Sequence, residues 1–194
     1  MTEQQLRDRR QYFRAKRHML WFGIGSLVMG FAAFTSAYLV SRERDDWLNN
    51  YELPTAFYYS TLVIVLSSVT MYLAYKAVKK EQNSKGMALL WITFILGVVF
   101  GVMQFMGFDQ IIKDFGYNFT GATSSISYTY VYLIAVVHLA HIFAALIALS
   151  VVIYNHYKLK YTQGQTLGIE LAATFWHFVD FLWLYLFFFL YFFR

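Results

Sequence analysis

The sequence predicts an all-α integral membrane protein: a bundle of five transmembrane helices, with the N-terminus cytoplasmic and the C-terminus outside. Three observations predict it. Only 14% of the 194 residues are charged while 59% are apolar, against roughly 25% charged in an ordinary soluble domain. The charges crowd into short stretches and leave five long tracts with none or one. Threaded through a bilayer in turn, those tracts place twelve Lys and Arg on one side and four on the other, and the richer side is the cytoplasmic one.

Each tract meets the length that a helix needs to cross a hydrocarbon core about 30 Å thick, about 20 residues. In lipid a helix satisfies its own backbone, and nothing in the chain shows the short alternating segments of a barrel. The first span is placed at 19–41. A basic cytoplasmic segment, 1–18, precedes it and carries Arg7, Arg9, Arg10, Arg14, Lys16 and Arg17. The tract is too long for a secretory h-region and no small-x-small cleavage site follows, so it reads as an uncleaved anchor. Span two, 55–75, follows Pro54, and span three, 87–108, follows the turn-forming run at 83–86. A Gly/Ser/Thr-rich stretch at 116–127 precedes the fourth span, 126–154, and the fifth occupies 171–193. The aromatic run at the end of the fifth reads as lipid-facing with an interfacial end. All 194 residues form one membrane domain, with no internal repeat and no Walker or Rossmann glycine pattern.

Composition excludes several classes of function. The tracts are too apolar for a soluble core, so the net charge of +5 does not indicate a nucleic-acid partner. With no Cys, the chain has no disulfide, no thiolate-held Fe–S cluster, no covalently attached c-type haem and no thiolate copper site. Without a nucleotide motif it is not read as an ATP-driven pump.

Polar groups inside the spans require an explanation, because each costs a few kcal/mol in hydrocarbon. They are Gln104 in the third span, His138 and His141 in the fourth, and His177 and Asp180 in the fifth. Each of the last two pairs is spaced i, i+3 and shares a helix face. Glu170 lies seven residues before His177, on the same side of the fifth helix. At about 1.5 Å per residue, His141 and Asp180 lie roughly 18 and 15 Å from their cytoplasmic ends. A hydrogen bond between them across adjacent antiparallel helices is therefore geometrically available. The residues leave three readings open: a neutral network locking two helices together, haem ligation by one histidine from each helix, and a proton path through His and Asp. A hydrolytic metal site needs three or more convergent ligands. A small secondary transporter is a further alternative, though inverted repeats and broken helices are not visible. Small residues offer faces for close helix contact, Gly97 and Gly101 in line with Gln104, and Gly23, Gly30, Ala33 and Ala37 along the first span. Some of these faces suit another subunit.

Trp176-His177-Phe178-Val179-Asp180, followed by Trp183 and an aromatic run, with Glu170 six residues before the tryptophan, closely resembles the last-helix signature of haem-copper oxidase subunit III. Val137 through Ile142 is similar to that family's paired-histidine helix, Leu66 through Thr70 to its serine-rich stretch, and Gly97 through Gln104 to its glycine-then-glutamine pattern. The resemblance covers nearly the whole chain after about residue 18 and fits the family's five-helix form. Two departures stand out. The family's carboxylate after a serine in the first retained helix is Leu27 here, after Ser26, and the one three residues beyond the glutamine is Gly107.

The resemblance implies a non-catalytic subunit of a respiratory terminal oxidase of the cytochrome c type, in a bacterial-type inner membrane. A quinol oxidase or nitric oxide reductase partner and a haem-binding anchor are the alternatives. It implies no catalytic residue, cofactor or metal in this chain, with haem and copper in partner subunits. The implied partners are catalytic subunit I, other subunits and membrane phospholipids, with support of proton uptake by the neighbour. His138, His141, Glu170, Trp176, His177, Asp180, Trp183 and Gln104 are then expected to form a structural network beside a lipid-filled cleft.

Overall fold

The computed structural model describes residues 3–48, 51–121, 123–161 and 166–194, without the side chains of Leu6 and Arg9. It contains α1 (Glu3–Ser41), α2 (Thr55–Lys79), α3 (Asn83–Lys113), α4 (Ile126–Tyr157) and α5 (Leu167–Phe192). All five are long and apolar enough to cross a membrane. The described residues form no named strand, only an isolated bridge between Asn118 and Ser124.

The helices overrun the apolar tracts. Helix α1 begins sixteen residues before the expected span, because no Gly or Pro interrupts the chain between Glu3 and Phe22 and the basic segment is rich in helix formers. At 39 residues it is about 58 Å long, nearly twice the hydrocarbon thickness. The run at 83–86, expected to be a turn, forms the first turn of α3 instead. The reversal is made earlier by Glu81 at φ 58°. Gly86 then lets α3 start against α2 and α4: an added Cβ would lie 2.8 Å from Val78 and 3.3 Å from His156.

Helices α2 to α5 close into a ring in which each packs on the next and α2 meets α5. Helix α1 lies outside, against α4 and α5 and not against α2 or α3. Half of the apolar window of α5 is buried, against 22% for α1, so α5 is the central rod and α1 the peripheral one. The core runs through Ile64, Phe100, Ile134, Val179, Trp183 and Leu186. At one end the α1–α2 loop tucks Trp47 and Tyr51 inward, where Tyr38 meets Tyr51 at 2.8 Å and donates to the Phe193 carbonyl. Burial holds the Tyr51 phenol well above its ordinary range, so it stays a neutral hydrogen-bonding group. Lys76, Lys79, Lys80, Lys158 and Lys160 gather at the opposite end, by the ends of α2 and α4.

Candidate functional site

The polar groups of the bundle meet along one helix, α2. Its hydroxyls at positions 60, 61, 67, 68 and 70 recur at helical spacing on the side facing α3 and α5. A serine or threonine in a helix can give its one proton to a carbonyl three or four residues back and still accept from elsewhere. Ser60 and Thr61 both donate to the Phe57 carbonyl, and Ser67 donates to Ile64. Their free lone pairs point across the helix boundary.

Three N–H donors use them. Gln104 Nε2 of α3 donates to Ser60 at 2.9 Å. From α5, Trp176 Nε1 donates to Ser67 at 3.2 Å and Trp183 Nε1 to Thr61 at 3.0 Å. An indole can only donate, so each tryptophan in hydrocarbon needs such an acceptor. The fifth helix adds two further contacts. Ser68 lies 2.7 Å from His177 Nδ1, and the Asp180 carboxyl lies at a long 3.5 Å from Ser67. Lower on α2, the Thr70 and Thr93 hydroxyls meet at 2.9 Å. Close approach of the helices depends on Gly97, where an added Cβ would stand 2.6 Å from the Trp176 ring and 3.0 Å from Leu146. Gly101, the other half of that pair, has room: Leu139 is 3.8 Å away. Gly23 and Gly30 on α1 have no neighbour within 4 Å of an added Cβ among the described residues.

The hydrogen bond available between Asp180 and His141 does not form. Asp180 turns to α2, whose serines stand at its depth. His141 donates from Nδ1 to its own Val137 carbonyl at 2.7 Å and lies edge-on to Phe31 of α1. His138, one turn earlier, points into the ring. It is fully buried, 5.1 Å from the Trp183 ring and edge-on to Phe100, and neither ring nitrogen has a partner among the described residues. His138 and His141 both lie edge-on to Phe31 of α1, while His177 turns to Ser68 of α2. Glu170 stands apart at the basic end, in an ion pair of 2.8 Å with Arg17 of α1. Of the eight residues expected to act together, Gln104, Trp176, His177, Asp180 and Trp183 share the α2 seam, while His138, His141 and Glu170 lie elsewhere. The α2 hydroxyls themselves were absent from the expected set. Their spacing in an otherwise apolar tract was the signal that could have found them.

Fold and seam define a polytopic helical membrane protein whose buried polar side chains largely join one helix to its neighbours. Residues 46–194 match the family described as cytochrome c oxidase subunit III, and the chain belongs to that family. It is similar to cytochrome c oxidase subunit 3 of Alkalihalophilus pseudofirmus, 29% identical over 171 residues, which cover 86% of this chain and 81% of that protein. The subunit 3 of Spodoptera frugiperda is 28% identical over 139 residues, 72% of this chain and 88% of the relative. That of Chondrus crispus is 28% identical over 140 residues but only 48% of its length is covered. This chain therefore spans most of the first two and about half of the third. At position 107, one of the two departures noted above, the ring of Phe57 fills the space a side chain would take.

Proposed function

We propose that this chain is a non-catalytic accessory subunit of a respiratory haem-copper terminal oxidase of the cytochrome c type. It sits in a bacterial-type inner membrane with its N-terminus cytoplasmic. The observation that carries the reading is the family match over 46–194. Haem and copper belong to partner subunits, the catalytic subunit first among them, and this chain supplies no active site of its own. The α2 seam supports that division of labour, because most of its polar side chains make a cross-helix bond.

Phospholipid retention is part of the proposal. Helices α1 and α5 enclose a trough of about 330 Å³ lined by Phe31, Phe178, Phe181, Leu182 and Tyr185, apolar enough for acyl chains. Lys16 and Arg17 lie 11 to 12 residues before Val28 of the trough, about 17 Å along α1 toward the basic end, where anionic headgroups are attracted. By holding lipid beside the catalytic subunit, the chain supports proton uptake there. The test is purification of the tagged chain from its native membrane under mild detergent. Haem and copper are expected to co-purify on other polypeptides. A preparation that holds haem alone, with a Soret band lost on replacing His138, His141 or His177, would overturn the reading in favour of a haem-binding anchor.

A further inference from the structure

A second groove, of about 570 Å³, runs between α2 and α5 on the outside of the ring. Its walls are Val65, Val69 and Tyr72 of α2 and Phe181 and Leu184 of α5. Its floor is polar, made by Ser68, His177 and Asp180. His177 uses Nδ1 for Ser68, and its Nε2 has no partner among the described residues. The Asp180 carboxyl is almost fully buried, and its Oδ1 is also unpartnered among the described residues. A half-buried imidazole nitrogen facing hydrocarbon costs free energy until something hydrogen-bonds it.

Depth and charge narrow the occupant. At ~1.5 Å per residue His177 lies ~15 Å along α5 and Ser68 ~20 Å along α2, in the middle third of both helices. A phospholipid headgroup, held at the interface, does not reach that level. No Lys or Arg lines the groove, so an anion finds no counter-charge. The volume falls in the range of small-molecule sites, roughly 300–1,000 Å³, and exceeds what one side chain from a neighbouring helix would fill. The fitting ligand is neutral, tailed and flat enough to lie against Tyr72 and Phe181.

The polar floor also sets its head chemistry. Ser68 lies 2.7 Å from His177 Nδ1, and either group can donate. When Nδ1–H donates to Ser68, Nε2 is a bare lone pair that takes a hydroxyl. When Ser68 donates to Nδ1, Nε2–H is offered to a carbonyl. A ligand that exists as both carbonyl and hydroxyl fits either arrangement. We propose that the α2/α5 groove binds a neutral isoprenoid-type quinone or quinol, with one ring oxygen on His177 Nε2. This goes beyond the accessory role.

The test is photolabelling of whichever membrane complex carries the tagged chain, in nanodiscs, with an azido-benzoquinone bearing a decyl tail. Label is expected on the peptides carrying Val65 to Tyr72 and His177 to Leu184, displaced by decylubiquinone and not by added phosphatidylglycerol. His177→Phe is expected to cut it about tenfold, the equivalent of one hydrogen bond of ordinary strength. Val65→Trp fills the groove without touching the polar floor and is expected to do the same, which guards against a His177 variant that misfolds. Label unchanged in Val65→Trp, label displaced equally by phospholipid, or cross-linking of this groove to a partner's helix would each overturn the proposal. Subunit stoichiometry, read on the same sample, tests the accessory role separately.

Discussion

Helix α5 meets α2 and α1 on its two flanks, and the contacts differ in kind. Toward α2 it presents Trp176, His177, Asp180 and Trp183, and each finds an α2 hydroxyl. Toward α1 it presents Phe178, Phe181 and Tyr185, which line the apolar trough with Phe31 and Ala32. Along the span that flank has a long 3.4 Å contact between Thr35 and Tyr185, with stronger polar contacts only near the ends, at Arg17–Glu170 and Tyr38–Phe193. Lipid competes poorly with the first flank, because it offers no acceptor for an indole N–H, and readily with the second. The polar flank fixes register inside the ring, and the apolar flank ties α1 to it less firmly.

Breaking the polar flank should therefore cost more than breaking the apolar one. Trp183→Ala removes a fully buried indole and its bond to Thr61, and is expected to destabilise the ring by about 3–5 kcal/mol. Phe178→Ala, on the α1 side and only partly buried, is expected to cost about 1–2 kcal/mol. Steric-trap unfolding in bicelles measures both, and equal losses would erase the contrast. Next in size is Gly97→Val, which drives a side chain into Trp176 and is expected to cost about 1–3 kcal/mol. Gly101→Val, with room beside Leu139, should fall well below it in the same assay.

Ser67→Ala leaves Trp176 without its acceptor and takes one hydroxyl from Asp180, for an expected loss of about 1–2 kcal/mol. The smallest effect belongs to Arg17→Gln. Its ion pair with Glu170 is partly exposed, so the expected change is under about 1 kcal/mol and shrinks further in high salt. A loss insensitive to salt would show that Arg17 does more than pair with Glu170.

Much of the fold was legible from charge exclusion alone, because hydrocarbon admits few side chains that can mislead. All five spans fall inside the five helices except at the C-terminus, where α5 stops at Phe192 rather than Phe193. The ends were less legible. The basic stretch before Met19 carries no apolar signal, yet it continues α1, since only Gly, Pro or a competing cap would have stopped it. In the seam, sequence singled out the donors Gln104, Trp176 and Trp183 and the titratable pair His177 and Asp180; it named Ser67 and Ser68 only within a family-like stretch and missed Ser60, Thr61 and the acceptor role. Serine and threonine are ordinary in membrane helices, and nothing local distinguishes a hydroxyl that only bonds its own backbone from one that also bonds across. The Asp180–His141 bond, available by depth, does not form for a related reason. Depth along a helix does not say which neighbour lies at a given azimuth, and beside Asp180 that neighbour is α2.

The central claim is that the α2/α5 seam holds the subunit together while electron transfer takes place in another polypeptide. Asp180→Ala in the assembled oxidase tests it most directly, with subunit stoichiometry and haem reduction followed on one preparation. The account expects this subunit to dissociate more readily while haem reduction in the remaining catalytic unit is unchanged. Full retention of the subunit together with lost haem reduction would contradict it.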